Sequence, residues 1–120
     1  TMGDGWETRR RREPGNDWII IKLATKGLIK KIEIDTAHFK GNYPDQASVQ
    51  ASNFDENKSL EEIINESQNW KYILNKSKLE ADNLHNYEVD DTLNEGETHI
   101  RLNIYPDGGV SRLRIFGIKL

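Results

Sequence analysis

A carboxylate, a hydroxyl, an imidazole and an amide crowd into one short segment, Asp35-Thr36-Ala37-His38-Phe39-Lys40-Gly41-Asn42, directly after the strand-like Ile32-Glu33-Ile34. Such groups can transfer protons, orient a polar substrate or ligate a metal, and loops at strand ends on a rigid sheet are where sites usually sit. Two other polar, glycine-containing stretches accompany it: Asp4-Gly5-Trp6-Glu7-Thr8-Arg9-Arg10 and Tyr105-Pro106-Asp107-Gly108-Gly109. His38 and His99 are the candidates for acid–base work near neutral pH. His85 falls in a polar stretch and reads as a surface residue. Asp35 and His38, three apart in a strand-to-loop turn, could meet on one metal or one substrate, with Glu7 or Asp107 as a third ligand. Spacing alone favours a plainer arrangement, in which Asp35 caps the turn through its side chain and His38 packs.

Arginine is the natural partner for a carboxylate, because its planar fork donates two parallel hydrogen bonds. Strand parity sorts the arginines. If Ile100, Leu102 and Ile104 point into a core, then His99, Arg101, Asn103 and Tyr105 share the other face. If Leu113 and Ile115 point in, Arg112 and Arg114 share theirs. Parity alone favours arginines that pair with Glu7, Asp35 or Asp107 and hold loops in place. In the run Arg9 to Arg12, Arg9 or Arg10 is expected to fold inward beside Trp6 and Glu7. A nucleic-acid patch fits poorly, since the chain carries a net charge of -3 and no aromatic array interleaves the arginines. Trp6, Trp18, Phe39 and Trp70 read as core or loop anchors, and Gly41-Asn42 and Gly108-Gly109 as turns.

These groups must be positioned by strands. Trp18-Ile19-Ile20-Ile21 within Asp17 to Leu23 is a β-branched run suited to a buried strand. A turn at Gly27 then leads to a second, in which Leu28, Ile32 and Ile34 alternate with charged residues. Further strands are expected around Ala47 to Ala51, Trp70 to Leu74, Tyr87 to Val89, Glu97 to Tyr105 and Val110 to Leu120. Short strands at this spacing suggest a sandwich or barrel. Ser59-Leu60-Glu61-Glu62 has capping-box spacing and predicts one short helix. The helix lies in a polar stretch from Asn53 to Asn69 that reads as a surface insertion without chemistry. Residues 75 to 96 read as loops around their short strand.

With 120 residues, a hydrophobic fraction of 35% and a mean hydropathy of -0.80, the chain encloses one lean core, so residues 1–120 are expected to form a single domain. The absence of cysteine excludes disulfides, thiolate ligands and a cysteine nucleophile. No apolar run reaches the roughly 20 residues of a membrane helix, and no secretory signal is expected. A cytoplasmic protein without membrane or nucleic-acid partners is expected. The chain begins almost on its first motif, which suggests a piece of a larger protein.

The segments Asp4 to Arg10, Asp17-Trp18, Asp35 to Asn42, Arg101-Leu102-Asn103-Ile104-Tyr105-Pro106-Asp107-Gly108-Gly109 and Arg112-Leu113-Arg114 resemble, in that order, the allantoicase family. The resemblance implies hydrolysis of allantoate to ureidoglycolate and urea in purine degradation. It also implies a jelly-roll β-sandwich like the discoidin and galactose-binding modules, present in the family as two tandem repeats. This chain carries one copy, more similar to the second. The resemblance further implies homo-oligomers and, for some members, a divalent metal such as manganese. Allantoate carries a carboxylate and two ureido groups. On this reading Arg9, Arg101 and Arg114 hold the carboxylate, with Asn42 and Asn103 also binding substrate. His38 and Glu7, then His99, transfer protons; Asp35 orients them, and Asp35, His38 and Asp107 are the candidate metal ligands. In a jelly roll, Pro106 to Gly109 would be a crossover between sheets rather than a hairpin. A non-catalytic ligand-binding module and an oligomer-scaffolding half are the alternatives.

Overall fold

The computed structural model describes residues 16–55, 57–93 and 95–120. Six strands follow in order: β1 (Asp17–Asp35), β2 (Gln46–Ser52), β3 (Lys71–Lys78), β4 (Leu84–Glu88), β5 (Glu97–Tyr105) and β6 (Arg112–Lys119). One helix, α1 (Leu60–Ser67), lies between β2 and β3, and a 3₁₀ turn spans Asp91–Leu93. All strand pairings are antiparallel.

The two strands expected on either side of Gly27 form one continuous element. Nineteen residues at about 3.3 Å each would run about 63 Å if straight, yet the longest dimension of the molecule is 40 Å. The strand therefore folds back. Its first arm, Asp17 to Lys22, pairs with β5. After a register break between Lys22 and Gly27, the second arm pairs with β6 from Gly27 to Asp35 and with β4 from Lys31 to Asp35. Gly27 is thus a junction between two sheets, paired with both Glu97 and Lys119. The result is a jelly-roll sandwich with barrel-like continuity: β3-β2-β5-β1 on one side and β6-β1-β4 on the other.

Alternation fills the space between the sheets. Ile21, Ile32, Ile34, Ala47, Val49, Ile100, Leu102, Leu113 and Ile115 form one buried cluster. Full burial of such an aliphatic side chain stabilises by roughly 1.5–3 kcal/mol. The expected inward parity of β5 and β6 holds. β5 pairs with β1 and β2, and β6 with β1 alone, so Pro106 to Gly109 crosses between sheets and forms no hairpin. Asn103 accordingly lies between Trp18 and Ser48, while Arg112 lies opposite Asp35.

The stretch from Asn53 to Asn69 is not a bystander. Ser59 accepts from Glu62 N–H and the Glu62 side chain accepts from Ser59 N–H, the reciprocal cap that its sequence predicts. The helix then lays Ile63 and Ile64 against Trp18, Ile20, Trp70 and Phe54. This second apolar cluster roofs the outer face of β1, β5 and β2.

Candidate functional site at the strand-end loops

Three loops meet at the end of the sandwich where β1 and β5 finish. The loop 36–45 continues from β1, the loop 106–111 follows β5, and the connection 79–83 leads into β4. The first two are joined through backbone bonds: Gly109 N–H to Asn42 O at 2.7 Å, Ser111 N–H to Asp35 O at 2.8 Å and Asp45 N–H to Tyr105 O at 2.9 Å. Gly109 is indispensable to this contact, because a Cβ there would fall 2.0 Å from a ring carbon of Phe39. Gly108 has φ +130, and a Cβ would meet backbone of Asn42, Tyr43 and Pro44 within 2.8 Å.

The third loop is fastened from behind by Thr36, whose side chain is fully buried. Its hydroxyl lies 2.6 Å from Glu80 O and 3.1 Å from Asn83 O, and accepts from Asn83 N–H at 3.1 Å. Thr36 N–H also donates to Asn83 O at 2.9 Å. His85 completes the fastening. Its Nε2 accepts from Glu80 N–H at 2.8 Å, so Nδ1 carries the proton and donates to Ile34 O at 2.9 Å. His85 is therefore a half-buried structural residue and not the surface histidine expected from the sequence.

Within this frame the motif residues separate. Asp35 Oδ1 accepts from Ala37 N–H at 2.8 Å, the turn-capping role that spacing favoured. Phe39 N–H donates to Thr36 O at 2.9 Å and closes the turn, with His38 at its third position at φ 73. His38 is exposed rather than packed, and its N–H donates to Asp82 Oδ1 at 2.8 Å. Asn42 and Asp107, both exposed, line an open cleft of about 480 Å³ with Asp45 and Tyr43. A second cavity of about 220 Å³, largely apolar, lies behind Phe39 between Trp18, Ile104 and Val110, with the buried Asp17 at its wall.

His99, Arg101 and Asn103 share one face, as parity requires, but that face is buried. Arg101 is 7% exposed, Asn103 2% and His99 6%. The Arg101 guanidinium stacks 4.6 Å from the Trp18 ring, donates from Nε to Asn103 Oδ1 at 2.8 Å and from Nη1 to Ser67 Oγ at 2.7 Å. Asn103 Nδ2 donates to Gln50 Oε1 at 2.9 Å, and Gln50 Nε2 donates to Trp70 O at 2.9 Å. His99 stacks on Phe54 at 4.0 Å and shares a 2.8 Å hydrogen bond with Thr98. These groups join β5 to β2 and to the helix above them. Arg114 sits on the outer face of the opposite sheet, across from Glu33, so Arg101 and Arg114 do not converge. Glu7 and Arg9 lie outside the described residues.

A metal at Asp35, His38 and Asp107 does not fit this arrangement. One Asp35 oxygen is engaged by Ala37 N–H, and among the described residues no three His, Asp or Glu side chains gather as a ligand set. Among the described residues, no helix is long and apolar enough to cross a membrane.

The allantoicase repeat model matches residues 1–120. The chain belongs to the allantoicase family. A probable allantoicase of Burkholderia mallei is 53% identical over 116 residues, covering 97% of this chain and 34% of that protein. One from Rhizobium meliloti is 54% identical over 120 residues, covering 97% and 35%. The chain thus spans about a third of the length of these relatives and is one repeat. The crystal structure of Saccharomyces cerevisiae allantoicase superposes with a TM-score of 0.68 at 38% identity, over 97% of this chain and 32% of that one. A chitosan-binding module from a Paenibacillus chitosanase/glucanase gives a TM-score of 0.60 at 14% identity, covering 95% of this chain and 80% of that one; this establishes the shared sandwich alone.

Several residues of this allantoicase repeat carry little signal in the sequence. Thr36 stands inside the motif as one polar residue among several. Asp82 and His85 lie in a stretch whose polar composition suits a loop. The local signal for them was Ala81-Asp82-Asn83, a turn-forming run just before the β4 alternation.

Proposed function

We propose that this chain is a repeat of an enzyme that hydrolyses allantoate to ureidoglycolate and urea, and that the strand-end loops are where substrate is handled. One observation carries the reading. Two family-like segments far apart in sequence, Asp35 to Asn42 and Tyr105 to Gly109, are joined through Gly109 and Phe39 into one rim, and His38 stands exposed on it.

In this reading His38 moves the proton, taking it from water or giving it to the departing urea. Asn42 offers both an amide donor and an acceptor, and Asp107 an acceptor, to a ureido group in the adjoining cleft. The substrate carboxylate needs a cation, and Arg9, with Glu7 as a second acid–base group, is the candidate for that task. Asp35 serves by shaping the turn under His38. Arg101, Asn103 and His99 support the sheet from beneath α1, and Arg114 is left with no part in this rim. A second repeat is a proposed partner, in keeping with the length of the relatives, and a homo-oligomer is the other.

The test is urea release from allantoate. His38→Ala is expected to lower kcat by roughly 10²–10⁴-fold, the usual contribution of a positioned acid or base, with the thermal midpoint unchanged. Equal turnover in the variant would refute the assignment.

A further inference from the structure

Among the described residues, His38 and Asp82 are the two non-glycine positions with left-handed backbone, at φ 73 and 46. They hold one another. His38 N–H donates to Asp82 Oδ1 at 2.8 Å, and Asp82 N–H donates to Phe39 O at 3.0 Å. A side chain disfavours this conformation, and it persists where the surroundings over-determine it, most often at sites. Here the surroundings are the fully buried Thr36 hydroxyl on Glu80 and Asn83, and the two-sided His85 ring between Glu80 and Ile34. The whole assembly keeps residue 38 out of the core and fixes its amide.

We propose that Asp82 is a positioning residue for His38: its carboxylate fixes the amide of residue 38 and so the direction in which the imidazole leaves the loop. The inference rests on the reading of His38 as the proton-transfer group. Aspartate suits the position on two counts, since it tolerates a left-handed φ better than most residues and supplies the acceptor. Glycine would supply only the first, and asparagine supplies both.

That difference gives the experiment. Asp82→Asn, Asp82→Gly and His38→Ala are compared with the unsubstituted chain by urea release from allantoate and by amide hydrogen exchange. Asp82→Asn is expected to keep turnover within about twofold. Asp82→Gly is expected to lose roughly ten- to a hundredfold in kcat with a smaller change in KM, because a misplaced group loses rate more than binding. The residue 38 amide should exchange slowly in the unsubstituted chain and in Asp82→Asn, and fast in Asp82→Gly, while β5 core amides stay protected in all three. Full turnover in Asp82→Gly, with turnover lost in His38→Ala, would overturn the inference. Full turnover in His38→Ala would overturn the proposed function instead. The exchange arm then decides alone: an unchanged residue 38 amide in Asp82→Gly removes the positioning role, and a faster one sustains it.

Discussion

Replacing Thr36 with valine removes one hydroxyl from the centre of the three-loop junction and leaves its shape nearly intact. The hydroxyl is fully buried, donates toward Glu80 O at 2.6 Å and accepts from Asn83 N–H at 3.1 Å. Each lost neutral hydrogen bond weakens the fold by about 0.5–1.5 kcal/mol, and a buried partner left unsatisfied by about 1–3 kcal/mol. Two backbone groups lose this partner, and the loop can open to let water reach them, so a total of about 2–3 kcal/mol is expected. At about 4 °C per kcal/mol for a chain of this size, the thermal midpoint should fall by about 8–12 °C. Thr36→Ser keeps the hydroxyl and loses one methyl, at a cost of about 1 kcal/mol. Urea unfolding of the three proteins, fitted with a common m-value, measures both differences. A valine variant within about 0.5 kcal/mol of the unsubstituted chain, or a serine variant less stable than valine, would refute the role given to this hydroxyl.

Gly109→Ala drives a methyl to within 2.0 Å of the Phe39 ring. A loss of about 1–3 kcal/mol by urea unfolding is expected from such overpacking, and unchanged stability would contradict the close contact. Ser67→Ala removes the acceptor of Arg101 Nη1 beneath α1 and should destabilise by about 1–2 kcal/mol, read as a shift in the denaturation midpoint. The Asp90 carboxyl is held below its ordinary range by hydrogen bonds from the Thr92 backbone N–H and then its hydroxyl. The folded state therefore favours the ionised form. Its contribution is present above the unfolded pKa near 4 and is lost as pH falls through the lower folded value. Asp90→Asn should flatten the acid limb of the thermal midpoint against pH, and an unaltered limb would exclude this group.

Periodicity made the strands legible. The alternation of Ile100, Leu102 and Ile104 against His99, Arg101 and Asn103 identified two chemically different faces, and the capping box marked α1. What periodicity could not tell was which outer face meets water. Asn53 to Asn69 is polar in composition, yet Ile63, Ile64, Phe54 and Trp70 suffice to roof the sheet and bury Arg101. A buried arginine and a substrate-binding one look alike in sequence, because both need a hydrogen-bonding partner and only the fold says which. Gly27 looks like a turn in the sequence because a junction between two sheets uses the same residue as a loop. The motif around Asp35 was legible as a site candidate from its residue types. Its fastening was not, because Asp82 and His85 reach His38 and Glu80 through pairings set by the register of β4 against β1. Distances of that kind depend on long-range topology, which local spacing does not encode.

In the proposed function, the exposed imidazole at the strand-end rim performs the proton transfer in allantoate hydrolysis. The most direct measurement is the rate of urea release from allantoate for the unsubstituted and His38→Ala proteins, each verified as folded by its thermal transition. Release by the first and a fall of about 10²-fold or more in the second are expected. Release at the same rate from both would contradict it.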